Sequence, residues 1–147
     1  MFEVSFTIPG VAVPKARPRV IQRKGKPTAI TPEKTVNYEN LVKWTAQQAM
    51  QKAGVDMFHG PLQASIYISL PIPTSWSRKR QELAIAGRIA PTNKPDIDNL
   101  VKAMFDGMNG IVFRDDSQIV FAIVRKLYSI TPNTRVQITS TMQEAAK

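Results

Sequence analysis

Cysteine is absent from the chain, which excludes disulfides and thiolate metal sites. Histidine occurs once, as His59 in the turn signature His59-Gly60-Pro61, and is set aside from the chemistry. No apolar run approaches the roughly 20 residues of a membrane span. Met1-Phe2-Glu3-Val4 opens a strand pattern and not a signal peptide, so the expected location is cytoplasmic, reducing and away from any membrane. Acid is scarce too: 11 Asp and Glu stand against 20 Lys and Arg, a net charge of +9. Such a balance asks for an acidic partner. An anionic membrane would call for a basic amphipathic helix, which the sequence does not show, so nucleic acid is favoured.

The positive charge gathers in irregular segments. Lys15, Arg17, Arg19, Arg23, Lys24 and Lys26 stand together with no acid among them. Arg78, Lys79, Arg80, Arg88 and Lys94 form a second group. Apart from Arg88, these are the candidate DNA contacts. Solubility charge is the duller explanation, but it rarely clusters in loops.

At 147 residues the chain is expected to form one domain with a core of its own. Phe2, Val4, Phe6 and Ile8 alternate with polar residues, a half-buried strand. Pro9-Gly10 ends it, and a proline-rich basic stretch follows as a long loop or ragged hairpin. Thr31-Pro32-Glu33 offers a helix cap, a first-turn proline and an acid, predicting a helix to about Lys52 with Gly54 past its end. Leu62 to Leu70 alternates again. Ser75 to Ala86 reads as a short basic helix. Ile97, Leu100, Val101, Met104, Phe105 and Met108 trace one apolar helix face, with Gly107 and Gly110 at the exit. Residues 118–127 are apolar at both parities, predicting a strand covered on both faces. Val136, Ile138 and then Ser140 or Met142 suggest a last strand.

Against this basic background the acids are concentrated. Five of the 11, Asp96, Asp98, Asp106, Asp115 and Asp116, fall between residues 96 and 116. Carboxylates beside a polyanion make electrostatic sense when a divalent cation lies between them. Pro95 favours an extended approach, so Asp96-Ile97-Asp98 is expected extended, with both carboxylates outward and Asp98 capping the helix that follows. Lys102 lies four residues on from Asp98, opposite the apolar stripe. A return through Ile111-Val112-Phe113 is expected to bring Asp115 and Asp116 back to the helix start. Three converging carboxylates suit Mg²⁺, and Lys102 would stabilise charge on a phosphate or orient water. Each residue has a plainer reading: Asp98 as a cap, Asp115-Asp116 as a turn, Asp106 as a solvated i, i+4 partner. Trp76, beside Arg78-Lys79-Arg80, either stacks on an unpaired base or anchors its loop. Their coincidence in one short chain is what points to a metal-dependent nuclease.

Asp96-Ile97-Asp98-Asn99-Leu100, Lys102, Phe105-Asp106, Asp115-Asp116 and Ile119-Val120 together resemble the RusA family of Holliday junction resolvases. The specific part covers residues 95–120, and the rest matches in layout. The resemblance implies an α+β fold, a mixed sheet packed with helices on one side. It also implies a Mg²⁺-dependent homodimer, with Mn²⁺ as a possible substitute, that binds four-way junctions and introduces paired nicks. Carried over by position, Asp96, Asp98 and Asp116 would be catalytic metal ligands and Lys102 the catalytic lysine, with Asp115 of lower rank. The segment from Lys15 to Lys26 is longer and more charged than the family layout leads one to expect. Family members often come from phages. Flaps or other branched DNA, and a non-catalytic DNA-binding protein, stand as the alternatives.

Overall fold

The computed structural model describes residues 2–16 and 18–141. Strand β1 (Glu3–Pro9) buries Val4, Phe6 and Ile8 and exposes the residues between them, as its alternation dictates. A two-stranded ribbon follows, β2 (Arg19–Arg23) and β3 (Lys26–Ile30). Helix α1 (Glu33–Ala53) starts from Pro32, and Thr31 is not its cap. It ends at Gly54, whose φ of 65° is the left-handed geometry that closes a helix. Strand β4 (Leu62–Pro71) precedes the short helix α2 (Arg78–Ile85), capped by the Ser77 hydroxyl, and helix α3 (Ile97–Met108). A 3₁₀ turn at Asp116–Gln118 leads into β5 (Ile119–Ser129), and β6 (Asn133–Ser140) completes the sheet. Met142 lies outside the described residues, so the last strand is the one ending at Ser140.

The four-stranded sheet has the order β1-β6-β4-β5. β6 runs antiparallel to β1 and to β4, whereas β5 runs parallel to β4. A parallel pair needs a crossover connection, and here α2 and α3 supply it. The crossover lays α3 across one face of the sheet beside α1. Val4, Phe6, Ile8, Leu62, Ile66, Ile68, Val136 and Ile138 from the strands meet Val42 and Met50 of α1 and Leu100, Met104 and Met108 of α3 in one core. Full burial of each such side chain stabilises the fold by about 1.5–3 kcal/mol. This is the expected α+β architecture. No helix of the described residues is long and apolar enough to cross a membrane.

Two further expectations differ from the structure. Gly107 does not mark a helix exit. It lies within α3, where α1 passes so close that a Cβ would stand 2.7 Å from Val42 Cβ and 2.9 Å from the Glu39 carbonyl oxygen. Strand β5 is not covered on both faces either. It is a sheet edge, with Val120, Phe121 and Ile123 65%, 53% and 46% exposed.

Candidate active site

Helix α3 carries the candidate chemistry along its length. Asp96 occupies its N-cap position with extended backbone, φ −75° and ψ 148°, and its side chain makes no capping hydrogen bond. Asp98 lies inside the first helical turn and is not the cap. The expected extended Asp96-Ile97-Asp98 arrangement is therefore confined to Asp96, and Ile97 is exposed, not inward. The helix starts two residues after Pro95, which lies just outside it, where the proline's missing N–H costs no intrahelical bond. Asp96 and Asp98 are both exposed.

One turn further on, Lys102 projects from the polar side of α3. Its Nζ donates to Asp106 Oδ1 at 2.9 Å and stands 3.8 Å from Asp116 Oδ2. The hydrogen bond to Asp106 raises the Lys102 pKa above its ordinary value, outweighing partial burial, and attraction to Asp106 and Asp116 adds to it. Asp106 is more than a solvated partner. Its other oxygen lies 3.1 Å from the Nζ of Lys15, which also bonds Glu39 of α1 at 3.0 Å. Burial works against the Lys15 charge, but hydrogen bonds to Glu39 and Asp106 overcome it, so its pKa is raised. Glu39, Lys15, Asp106, Lys102 and Asp116 form one chain of alternating charge that ties α1, the segment after β1 and α3 to the acidic turn. Lys15, singled out in the sequence as a DNA contact, is committed to this chain.

The acidic turn is built from its own backbone. Asp115 caps the 3₁₀ turn, its Oδ2 accepting from Ser117 N at 3.1 Å. Hydrogen bonds from the Ser117 side chain and backbone hold its pKa below the usual carboxylate value. Gln118 fixes the turn from below. Its Oε1 accepts from the backbone N–H groups of Arg114 and Asp115 at 2.9 and 3.2 Å. Its Nε2 donates to the carbonyls of Phe58 and Gly60 at 3.1 and 3.0 Å. The turn thereby brings Asp116 to the Lys102 ammonium of α3.

With a rise of about 1.5 Å per residue, Asp98 sits about 6 Å from Lys102 along the helix axis and Asp96 about 9 Å. Asp96 and Asp98 lie at the start of α3, and Asp116 meets the Lys102 ammonium from the acidic turn. Among the described residues no three His, Cys, Asp or Glu side chains stand close enough to hold a metal ion. The expected convergence at the helix start is not what this chain alone presents. The donor chemistry itself, exposed carboxylate oxygens, fits a hard cation such as Mg²⁺.

The remaining sequence candidates are placed as follows. Arg19, Arg23, Lys24 and Lys26 lie on the exposed β2–β3 ribbon, and Arg17 is outside the described residues. Arg78 pairs loosely with Glu82 at 3.7 Å, and Lys79 is exposed on α2. Arg80 stacks over Trp76, 3.9 Å from its ring centroid, while Trp76 meets Tyr128 edge-on at 5.2 Å. That is the loop-anchor reading of Trp76. Lys94 lines a groove of about 450 Å³ with Asp96, Asn99 and Lys34.

Three side chains in this region escaped the sequence reading. Lys34, in the first turn of α1, shares the groove with Asp96, and only the fold brings it there. Gln118 stands at the capping-box position three residues after Asp115, a local signal that says nothing of its reach to Phe58 and Gly60. Lys126, half-buried in the motif-free middle of β5, donates to the carbonyls of Asn93 and Pro95 at 3.1 and 3.0 Å and fixes the loop that delivers Asp96. Its period-two placement beside Ile68 offered a weak clue, a cation on the helix-covered face that needs a partner.

The family Endodeoxyribonuclease RusA matches residues 9–139. The chain is also 35% identical over 137 residues to the uncharacterized protein YqaN of Bacillus subtilis (strain 168), covering 92% of this chain and 94% of that one. The match takes in the whole of α3, the acidic turn and the ribbon, and the chain belongs to the RusA endodeoxyribonuclease family.

Proposed function

We propose that this chain is a Mg²⁺-dependent endonuclease that resolves four-way DNA junctions by paired, symmetry-related nicks, acting as a homodimer. The observation that carries the reading is the Lys102 ammonium held between Asp106 and Asp116, one turn from Asp98. A catalytic lysine is most useful when it is charged and held in place, and the two flanking carboxylates support both. Asp96, Asp98 and Asp116, with Asp115 beside them, are the carboxylates that would hold Mg²⁺. Bound there, the ion would polarise the phosphoryl oxygen and lower the pKa of water. Mn²⁺, with the same preference for oxygen ligands, is the natural substitute. Lys102 neutralises charge developing on the phosphate. Lys94 and Lys34, in the groove beside Asp96, hold the flanking backbone.

Two scissile phosphates related by a two-fold call for two active sites related in the same way, which a homodimer supplies. The exposed apolar edge of β5 is the surface suited to it, because antiparallel pairing of two copies would satisfy free backbone groups and cover Phe121 and Ile123 together. Cleavage of a mobile four-way junction, with linear duplex and flap controls, tests the reading in Mg²⁺ and in EDTA. Paired nicks that require Mg²⁺ are expected, with Asp96→Asn binding the junction but not cutting it. Cleavage by Asp96→Asn at the parent rate would sink the assignment, and preferential cutting of flaps would move the substrate to other branched DNA.

A further inference from the structure

The β2–β3 ribbon has no place in the core. Every residue of β2 is exposed, and β3 is exposed or only half-buried. Its strands pair in register from Arg19↔Ile30 to Arg23↔Lys26, joined by Lys24-Gly25, both with positive φ (51° and 73°). This is the tight turn that matches the twist of a hairpin. An isolated two-stranded hairpin is marginally stable in water, and this one adds an adverse feature. Arg23 and Lys26 stand directly opposite one another, and like charges across a ladder destabilise it.

The charge is also one-sided. Alternation puts Arg19, Ile21 and Arg23 on one face of β2, and the register sets Lys26, Thr28 and Ile30 beside them. The opposite face carries Val20, Gln22, Pro27 and Ala29, with no charge. Three cations thus share one face, while Val20 on the other is 69% exposed. Diffuse solubility charge has no reason to respect the pleat. The ribbon is also anchored to the active-site frame. Lys15 N donates to the Asn99 carbonyl in the first turn of α3 at 2.8 Å, and Ala16 N to the buried Thr35 hydroxyl at 3.3 Å. Five residues per strand give a reach of about 17 Å from that base, and a two-stranded ribbon is of a size to enter the major groove.

We propose that the ribbon grips a duplex DNA arm next to the cleavage site through its Arg19/Arg23/Lys26 face alone. This rests on the DNA-cleaving reading above and adds to it a contact separate from the catalytic helix. Phosphates along the arm would relieve the repulsion between Arg23 and Lys26, so the ribbon is completed by its ligand. The neutral face turns away from DNA.

Two full-length variants test it, with binding of a fluorescent four-way junction titrated against salt in EDTA. The first carries Arg19→Gln, Arg23→Gln and Lys26→Gln. The second adds Val20→Lys, Gln22→Arg and Ala29→Lys, restoring the net charge on the opposite face. All six positions are exposed, and circular dichroism confirms that both variants fold. The first is expected to bind about ten- to hundredfold more weakly, with the slope of log K against log salt reduced by about three. The second is expected to stay weak. Parent-like binding by the first variant, or recovery in the second, would overturn the one-faced grip while leaving the nuclease reading intact. A parent protein that neither binds nor cuts a junction removes both.

Discussion

Asp106 holds Lys102 at 2.9 Å, one helical turn away on α3, and with its second oxygen it holds Lys15 at 3.1 Å. The motif read from sequence names Lys102 and the metal-type carboxylates, but the fold shows that the lysine's position depends on an aspartate that would touch neither metal nor phosphate. Asp106 is a positioning residue. In Asp106→Asn the two ammonium groups face each other without the carboxylate between them. Cleavage is expected to fall about tenfold to hundredfold, the size typical of lost supporting contacts, with junction binding retained. Single-turnover rates alongside binding isotherms separate the two.

The same substitution has a signature in pH. Lys102 is raised above 10.5 chiefly by its hydrogen bond to Asp106, and the nearby Lys15 charge works in the opposite direction. A raised lysine pKa means that the charged form, and whatever it contributes, is fully present below 10.5 and is lost as pH climbs through the folded-state value. Removing Asp106 therefore lowers the Lys102 pKa, and the alkaline limb of the cleavage profile is expected to move to lower pH. An Asp106→Asn profile that loses activity at every pH equally would show that Asp106 does not act through the Lys102 charge.

Gln118 makes four hydrogen bonds, two accepted at the acidic turn and two donated to Phe58 and Gly60. Gln118→Leu keeps much of the side chain's bulk and removes all four. At about 1 kcal/mol net for each, less what water recovers at this half-buried position, a loss of about 2–4 kcal/mol is expected. Gln118→Glu retains the acceptor and loses the donors, so it should fall between the two. Thermal unfolding of the three proteins gives the order, and equal stability of parent and leucine variant would refute the clamp.

Gly107 is where α1 and α3 touch backbone to side chain. Alanine in a helix interior is favoured over glycine by about 1 kcal/mol. Against that, a Cβ 2.7 Å from Val42 Cβ and 2.9 Å from a carbonyl oxygen cannot be absorbed by a flexible side chain, and overpacking costs about 1–3 kcal/mol. Net destabilisation of Gly107→Ala is expected, with partial recovery in Gly107→Ala/Val42→Ala. A double-mutant cycle from denaturant unfolding measures the coupling, and strict additivity would mean that the close approach is not what resists the methyl group.

These positions show where sequence reading succeeds and where it stops. Alternation placed β1 and β4, and the i, i+3, i+4 stripe placed α3, because burial of one face imposes a period. The D-x-D and the lysine were legible because their spacing along one element survives folding, and the second acidic pair because its two residues are adjacent. The ribbon was legible only as a basic, proline-rich segment, since its exposed strands leave no burial pattern. What the sequence could not show was where the acidic turn lands. That depends on Gln118 reaching back to residues 58–60, across a gap no local pattern spans, and it puts Asp116 against Lys102. Nor could apolar residues at both parities of β5 distinguish a strand buried in two layers from an exposed edge.

That edge carries the last prediction. Pairing of β4 with β5 places Ala122 and Val124 on the helix-covered face beside Ala64 and Ile66, and Phe121 and Ile123 on the open face beside Gln63 and Ser65. Val120 is the extra residue where the register shifts between Leu62 and Gln63. An unprotected strand edge with such residues is a template for pairing, and exposed apolar side chains grouped on one edge mark an interaction surface. With a second copy as the occupant proposed above, Phe121→Glu/Ile123→Glu would set like charges face to face across the two-fold. The double variant is expected to sediment as a monomer at concentrations where the parent is a dimer. Its circular dichroism and thermal stability at dilution should match the parent's, because both side chains are exposed in the single chain. Paired nicking of the junction should give way to slow, uncoupled single nicks. A variant that remains dimeric would place the two-fold interface elsewhere on the molecule and leave the exposed edge of β5 without that partner.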